Sequence, residues 1–160
     1  MEQELKALYN KLAKQIMSMI PVRWEVFHYL GEVEPGKASY SSVFYFREAE
    51  SGEFIQSNEI PKRYNCPKST YMVQWVELNK IMLEVLDCFE AHGQAPWEQM
   101  SLSVERSGKF KINYNYDVMT DQDGGQLVRE LMWARNTFGY EPEEGGPERK
   151  VLDRYLSNLS

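Results

Sequence analysis

Cysteine is scarce in this chain: Cys66 and Cys88 are the only two. They stand far apart and in no close pair, so neither a disulfide framework nor a Cys-rich zinc site is expected. Cys88 falls inside an apolar helical pattern, where a thiol behaves as a small hydrophobe. Histidine is equally sparse, with His28 in a strand pattern and His92 near a helix end. A Ser or Cys nucleophile needs an imidazole base and an orienting acid beside it. No Gly-x-Ser-x-Gly elbow is present, and only a Cys66–His92 pairing in space would supply a dyad. Gly124-Gly125 is followed by no Gly-Lys-Ser/Thr, so no phosphate loop is expected. Long apolar runs are missing as well, and none approaches the roughly 18 residues of a membrane span. Residues 1–20 carry Glu2, Glu4, Lys6, Lys11 and Lys14, which leave no uncharged core for a secretory signal. A cytoplasmic location, with no membrane partner, is the expectation.

Basic charge is also short. The chain has 18 basic and 24 acidic residues, a net charge of −6 over 160 residues. Direct nucleic-acid binding is therefore not expected, because phosphate contacts need a basic surface. The Tyr114-Asn115-Tyr116 stretch offers aromatic faces, but Lys109 and Lys111 are too few for a basic groove. The acidic excess is uneven. Between Asp117 and Glu148 lie Asp117, Asp121, Asp123, Glu130, Glu141, Glu143, Glu144 and Glu148, against Arg129 and Arg135 alone. A run of this kind is a solvated face or an interaction surface. Asp117, Asp121 and Asp123 also raise calcium or magnesium binding. An EF-hand loop begun at Asp121 fails, since position 5 is Gly125 and position 12 is Met132. Helix N-terminal capping fits those carboxylates better.

What the chain has in quantity is apolar material, 42% of residues with 13% aromatic, enough for a normal core. Leu5, Leu8, Leu12, Ile16 and Met19 predict an N-terminal helix stopped by Pro21. Residues 22–58 are aromatic and β-branched, divided by Pro35-Gly36 and Ser51-Gly52, and predict a meander of three strands. Ile60 to Tyr64 reads as a linker. Tyr71, Trp75, Leu78, Met82, Val85 and Phe89 predict a long helix ended by Gly93, widened by Val76, Leu83 and Leu86 into a stripe buried against more than one element. Met100, Leu102 and Val104, then Phe110, Ile112, Tyr114 and Tyr116, predict a β-hairpin with one buried and one wet face. Trp97 at its entry and Trp133 beyond it read as core lids. Leu127, Leu131, Ala134 and Phe138 predict a helix ended by Gly139, and a last helix begins near Pro147. Glu141 to Gly146 forms an acidic loop between them. The expected fold is α+β: one domain over 1–160 with a single antiparallel sheet of about five strands and N-terminal, central and C-terminal helices packed on it.

The segment Pro96-Trp97, Leu102 and Gly108-Lys109-Phe110-Lys111-Ile112-Asn113-Tyr114-Asn115-Tyr116-Asp117 resembles the centre of the YezG-like immunity (antitoxin) family. Trp24-Glu25-Val26, Val43-Phe44-Tyr45-Phe46, Ile60-Pro61, Tyr64, Arg129, Trp133 and Phe138-Gly139 follow the same order, so the resemblance covers nearly the whole chain. It implies an antitoxin without catalytic activity or cofactor. The partner would be a cognate polymorphic toxin, bound stoichiometrically through its toxic C-terminal domain, often a basic nuclease. An acidic inhibitor is steered toward a basic active face. Asp117, Asp121, Asp123, Glu141, Glu143 and Glu144 are the candidate partner-binding residues on that view. Two other functions fit less of the chain: a small metal-dependent enzyme using Asp117, Asp121 and Asp123, and a scaffold or regulatory module without a toxin.

Overall fold

The computed structural model describes residues 1–120 and 123–159. They form two units, Met1–Asp117 and Val118–Ser160. Five helices and one five-stranded antiparallel sheet make the class α+β, as expected.

In the first unit, α1 (Glu2–Met19) is followed by β1 (Trp24–Val33), β2 (Tyr40–Glu48) and β3 (Phe54–Gln56). Pro35-Gly36 forms the predicted turn: Gly36 takes φ 70°, which favours glycine, and the Lys37 amide donates to the Glu34 carbonyl at 2.9 Å. The expected linker coils instead into a short helix, α2 (Ile60–Arg63), entered by Pro61 and anchored by buried Ile60. Then come α3 (Lys68–Ala91) and the hairpin β4 (Gln99–Glu105) and β5 (Phe110–Asn115). The strand order is β3-β2-β1-β4-β5, so the two longest strands lie inside and short β3 is one edge. Short edges limit unwanted pairing.

The core lies between the sheet and two antiparallel helices. Lys11 of α1 reaches Glu84 of α3 at 3.1 Å, and Gln15 donates to the Gln74 carbonyl at 3.0 Å, so α1 runs down α3 in reverse. Leu12 and Ile16 meet Leu78, Ile81, Met82 and Val85 over Phe27, Tyr29, Phe44, Phe46, Met100 and Leu102. Val43, Leu30 and Tyr45 are buried on the other side of the strands, so β1 and β2 are covered on both faces. This accounts for their nearly continuous aromatic and β-branched sequence.

Three periodicity readings need correction. Val76 was placed on the buried stripe of α3 but is 60% exposed, with Met72 and Val73 beside it also exposed. By rise per residue α1 is about 27 Å long and α3 about 36 Å. Antiparallel α1, with Gln15 at the level of Gln74, runs past Val76; Met72, Val73 and Val76 are exposed because they lie on the side of α3 turned away from buried Leu78, Met82 and Val85. Phe110 and Tyr116 were placed on the core face of the hairpin but are exposed; they flank the ends of β5, the outermost strand, while Tyr114 between them packs on Phe89 and Trp97. Trp97 is buried as a core lid.

The second unit holds α4 (Gln126–Phe138) and α5 (Pro147–Asn158). Here the stripe holds at Leu131 and Ala134 and shifts at its first member alone. Val128, Leu131 and Ala134 are buried, while Leu127, expected inside, is exposed. Gly139 ends α4 and Pro147 opens α5 as predicted.

Candidate functional site

The acidic residues divide by what their carboxylates already hold. Asp123 is engaged from three sides in the loop before α4. Its Oδ1 accepts from the Gly125 amide at 3.0 Å and Arg129 at 2.9 Å, and its Oδ2 accepts from the Thr120 amide at 3.1 Å. Burial alone would raise this carboxyl, but the Thr120 and Gly125 amides and Arg129 outweigh it and hold it below the ordinary aspartate value. Gly124 and Gly125 both have positive φ, and they let the chain wrap close enough for that bond. Glu141 is engaged too. It lies 3.3 Å from Arg135 in the last turn of α4 and 3.8 Å from Arg149 in the first turns of α5, so it ties the two helices. Arg149 also donates to the Pro142 carbonyl at 3.2 Å.

Glu143 and Glu144 are different. Both are exposed in the α4–α5 loop, and among the described residues their carboxylates hold no ion pair. Asp117, exposed at the end of the first unit, likewise has a free carboxylate among the described residues. Asp121 lies outside the described residues. Asp123 and the Glu141–Glu144 loop stand at opposite ends of α4, a helix about 20 Å long. The expected acidic cluster is therefore not one patch within the second unit. Among the described residues of that unit it is a loop with two free carboxylates, Glu143 and Glu144, together with Asp123 and Glu141, which are committed to structure.

No assembled reaction centre appears among the described residues named for chemistry. Cys66 precedes α3 and His92 follows it, about 36 Å apart along the helix, so they form no dyad. His28 faces Ser103, with 2.7 Å between Nδ1 and Oγ, and burial first, then Arg47, lowers its pKa to about 4. Asp123 already accepts three hydrogen bonds, one of them from the Arg129 guanidinium, so a divalent ion there would have to compete with a fixed cation.

Two features escaped the sequence reading. A groove of about 500 Å³ runs beside α3, lined in part by Tyr40, Trp75, Val76 and Asn79. Buried Asn79 accepts a hydrogen bond from Ser42 at 2.6 Å, while its Nδ2 has no partner among the described residues. The second feature joins Glu4 of α1 to Cys88 and His92 at the far end of α3. Glu4 Oε1 accepts from His92 Nε2 at 3.3 Å, and Glu4 Oε2 accepts from the Cys88 thiol at 3.6 Å. A hydrogen bond from His92 and its charge lower the Glu4 carboxyl, while burial, then Glu4, raises the Cys88 thiol. The only hint in the sequence was the spacing of four between Cys88 and His92, which puts both on one helix face.

An α+β unit with a long central helix and an aromatic sheet, followed by an acidic helical unit, defines the class: a small α+β protein. The chain belongs to the YezG-like immunity family: the family model "Immunity protein YezG-like" matches residues 5–152. Among similar proteins is the type VII secretion system protein EsaG of Staphylococcus aureus, 27% identical over 160 residues, covering 99% of this chain and 97% of that one. The immunity protein YezG of Bacillus spizizenii is 30% identical over 153 residues, covering 94% and 89%. The YezG of Bacillus subtilis is 26% identical over 148 residues, covering 92% and 97%.

Proposed function

We propose that this protein is an antitoxin that binds one cognate toxin protein stoichiometrically in the cytoplasm, blocks it, and turns over no substrate itself. The observation that carries this reading is the family match over residues 5–152, which runs across both units. The same span supports treating 1–160 as one immunity domain. Described helices include none long and apolar enough to cross a membrane, which fits a partner met in solution.

The partner is a nuclease or similarly basic toxin domain. A nuclease carries a basic face for its polyanionic substrate, and an acidic surface on the inhibitor raises the encounter rate and disfavours wrong partners. Glu143 and Glu144 supply that charge from a loop whose backbone is anchored by Glu141 and Arg149. Glu141 and Asp123 add to the field while serving the fold; Asp117 adds a free carboxylate from the first unit.

The test has two arms. Cells that express the toxin encoded beside this gene survive when the protein is coexpressed and die without it. Death in the presence of folded, abundant protein would remove the immunity reading. In the second arm, Glu143→Lys with Glu144→Lys slows association by about tenfold or more at low salt, and wild-type association falls steeply as salt rises. Glu141 is left intact because reversing it would break contacts within the fold. Association indifferent to both salt and charge reversal would remove the acidic loop from the interface while leaving the immunity role standing.

A further inference from the structure

We propose that Glu4, Cys88 and His92 form a binding site for one zinc-class divalent cation, joining the first turn of α1 to the last turn of α3. The three side chains come from chain positions 84 and 88 residues apart, and the antiparallel packing of the two helices brings them together. All three donor atoms lie within 4.8 Å of one another.

The spacing fits a tetrahedral ion. Zinc bonds of about 2.0 Å to nitrogen or oxygen and about 2.3 Å to sulfur imply donor separations of about 3.3 Å for N···O and about 3.5 Å for S···O. The chain shows 3.3 Å between His92 Nε2 and Glu4 Oε1, and 3.6 Å between Cys88 Sγ and the other carboxylate oxygen, Oε2, so rotation of the exposed Glu4 carboxylate brings one oxygen to both edges. Cys88 and His92 need only side-chain rotation to close the third edge, because they stand one helical turn apart on the same face.

The donor set selects the metal. Thiolate and imidazole suit zinc, cobalt or copper, whereas magnesium and calcium require oxygen ligands. Charge balances as well: an ionised thiol, an ionised carboxylate and a neutral imidazole neutralise a dication. Binding releases the Cys88 thiol proton to solvent, and His92 ligates through Nε2 as the neutral tautomer with its proton on Nδ1, so the ion takes the place of both hydrogens that face Glu4. Exposed Glu4 and His92 give access from water, while Cys88 is only 6% exposed and forms the floor. Three protein ligands leave a fourth position for water or for a donor group from a partner.

Cobalt is the probe, since a thiolate–cobalt bond gives a charge-transfer band that carboxylate or imidazole binding does not. Reduced full-length protein is titrated with Co²⁺, then with Zn²⁺. The expected result is one Co²⁺ per chain with a thiolate band, displaced by Zn²⁺. Cys88→Ala abolishes the band, as does the volume-matched Cys88→Ser should the alanine variant fold poorly. Cys66→Ala retains it. Glu4→Ala and His92→Ala, both at exposed positions, weaken Co²⁺ binding by at least about tenfold. Zn²⁺ raises the melting temperature of wild type but not of the Cys88 variants, and Mg²⁺ raises neither. No thiolate band at a hundredfold excess of Co²⁺, or a band that survives Cys88 replacement, overturns the proposal and leaves the trio as a hydrogen-bonded clasp.

Discussion

Ser42→Ala should destabilise the first unit by roughly 2–5 kcal/mol, because one hydroxyl satisfies two other buried groups. Ser42 Oγ donates to Asn79 Oδ1 at 2.6 Å. Having used its only proton there, it must accept from the Tyr29 hydroxyl, also at 2.6 Å. Tyr29 and Asn79 are buried, and burial pushes the Tyr29 phenol well above its ordinary pKa, so it stays a donor. Removing the Ser42 hydroxyl leaves a phenol without an acceptor and an amide oxygen without a donor. Each unsatisfied group costs about 1–3 kcal/mol. Urea unfolding followed by tryptophan fluorescence reads the loss, since Trp24 and Trp97 are both buried in that unit. Repeating Ser42→Ala in a Tyr29→Phe background isolates the cause. With the phenol already gone, the serine loss should shrink by about 1 kcal/mol or more. Strict additivity of the two substitutions, or a Ser42→Ala cost under about 0.5 kcal/mol, would refute the shared-hydroxyl reasoning.

Gly31→Ala should cost about 1–3 kcal/mol by overpacking. A Cβ there would stand 2.8 Å from the Tyr29 hydroxyl and closer still to the Met82 sulfur, and Met82 is fully buried; a melting temperature unchanged from wild type would contradict this. For His28, the folded pKa of about 4 lies below the ordinary 6.5, so the unfolded chain takes up a proton first. Stability attributable to His28 is thus whole above pH 6.5 and declines as pH falls toward 4, and the wild-type minus His28→Gln difference in urea midpoint should show that slope, separated from any contribution of His92. Asp123→Ala should loosen the entry to α4 and cost about 1–2 kcal/mol, read as lost helicity and faster amide exchange near Gly125, because two backbone amides and Arg129 lose their acceptor. Val73→Lys with Val76→Lys should leave stability within about 0.5 kcal/mol of wild type, since both side chains already face water.

The elements were legible where local chemistry decides them. The Pro35-Gly36 turn, the alternation of Met100, Leu102 and Val104, and the end of α4 at Gly139 depend on a few neighbouring residues. Which face is covered depends on where distant elements pack. Periodicity put Val76 on the same stripe as Leu83, and the stripe exists. It is bare at Val76 because that position lies on the far side of α3 from buried Leu78, Met82 and Val85. At Phe110 and Tyr116 alternation is equally real, but β5 has a neighbour on only one side.

Composition located the acidic excess but could not say which carboxylates were free. That depends on where Arg129, Arg135 and Arg149 fall once α4 and α5 are formed. Arg149 lies just beyond the window that made the segment look strongly acidic, and it is one of the two residues that hold Glu141. Charge counted along the chain therefore overstates the charge a partner meets, and the discrepancy is largest where acids border helix ends, since carboxylates there meet amides and side chains of the next turn. A binding surface built from such a run is carried by its least structured members. On the proposed antitoxin reading those are Glu143 and Glu144, and the same logic makes Glu141 and Asp123 poor probes of recognition: a loss of binding in their variants would report a disturbed fold as readily as a lost contact.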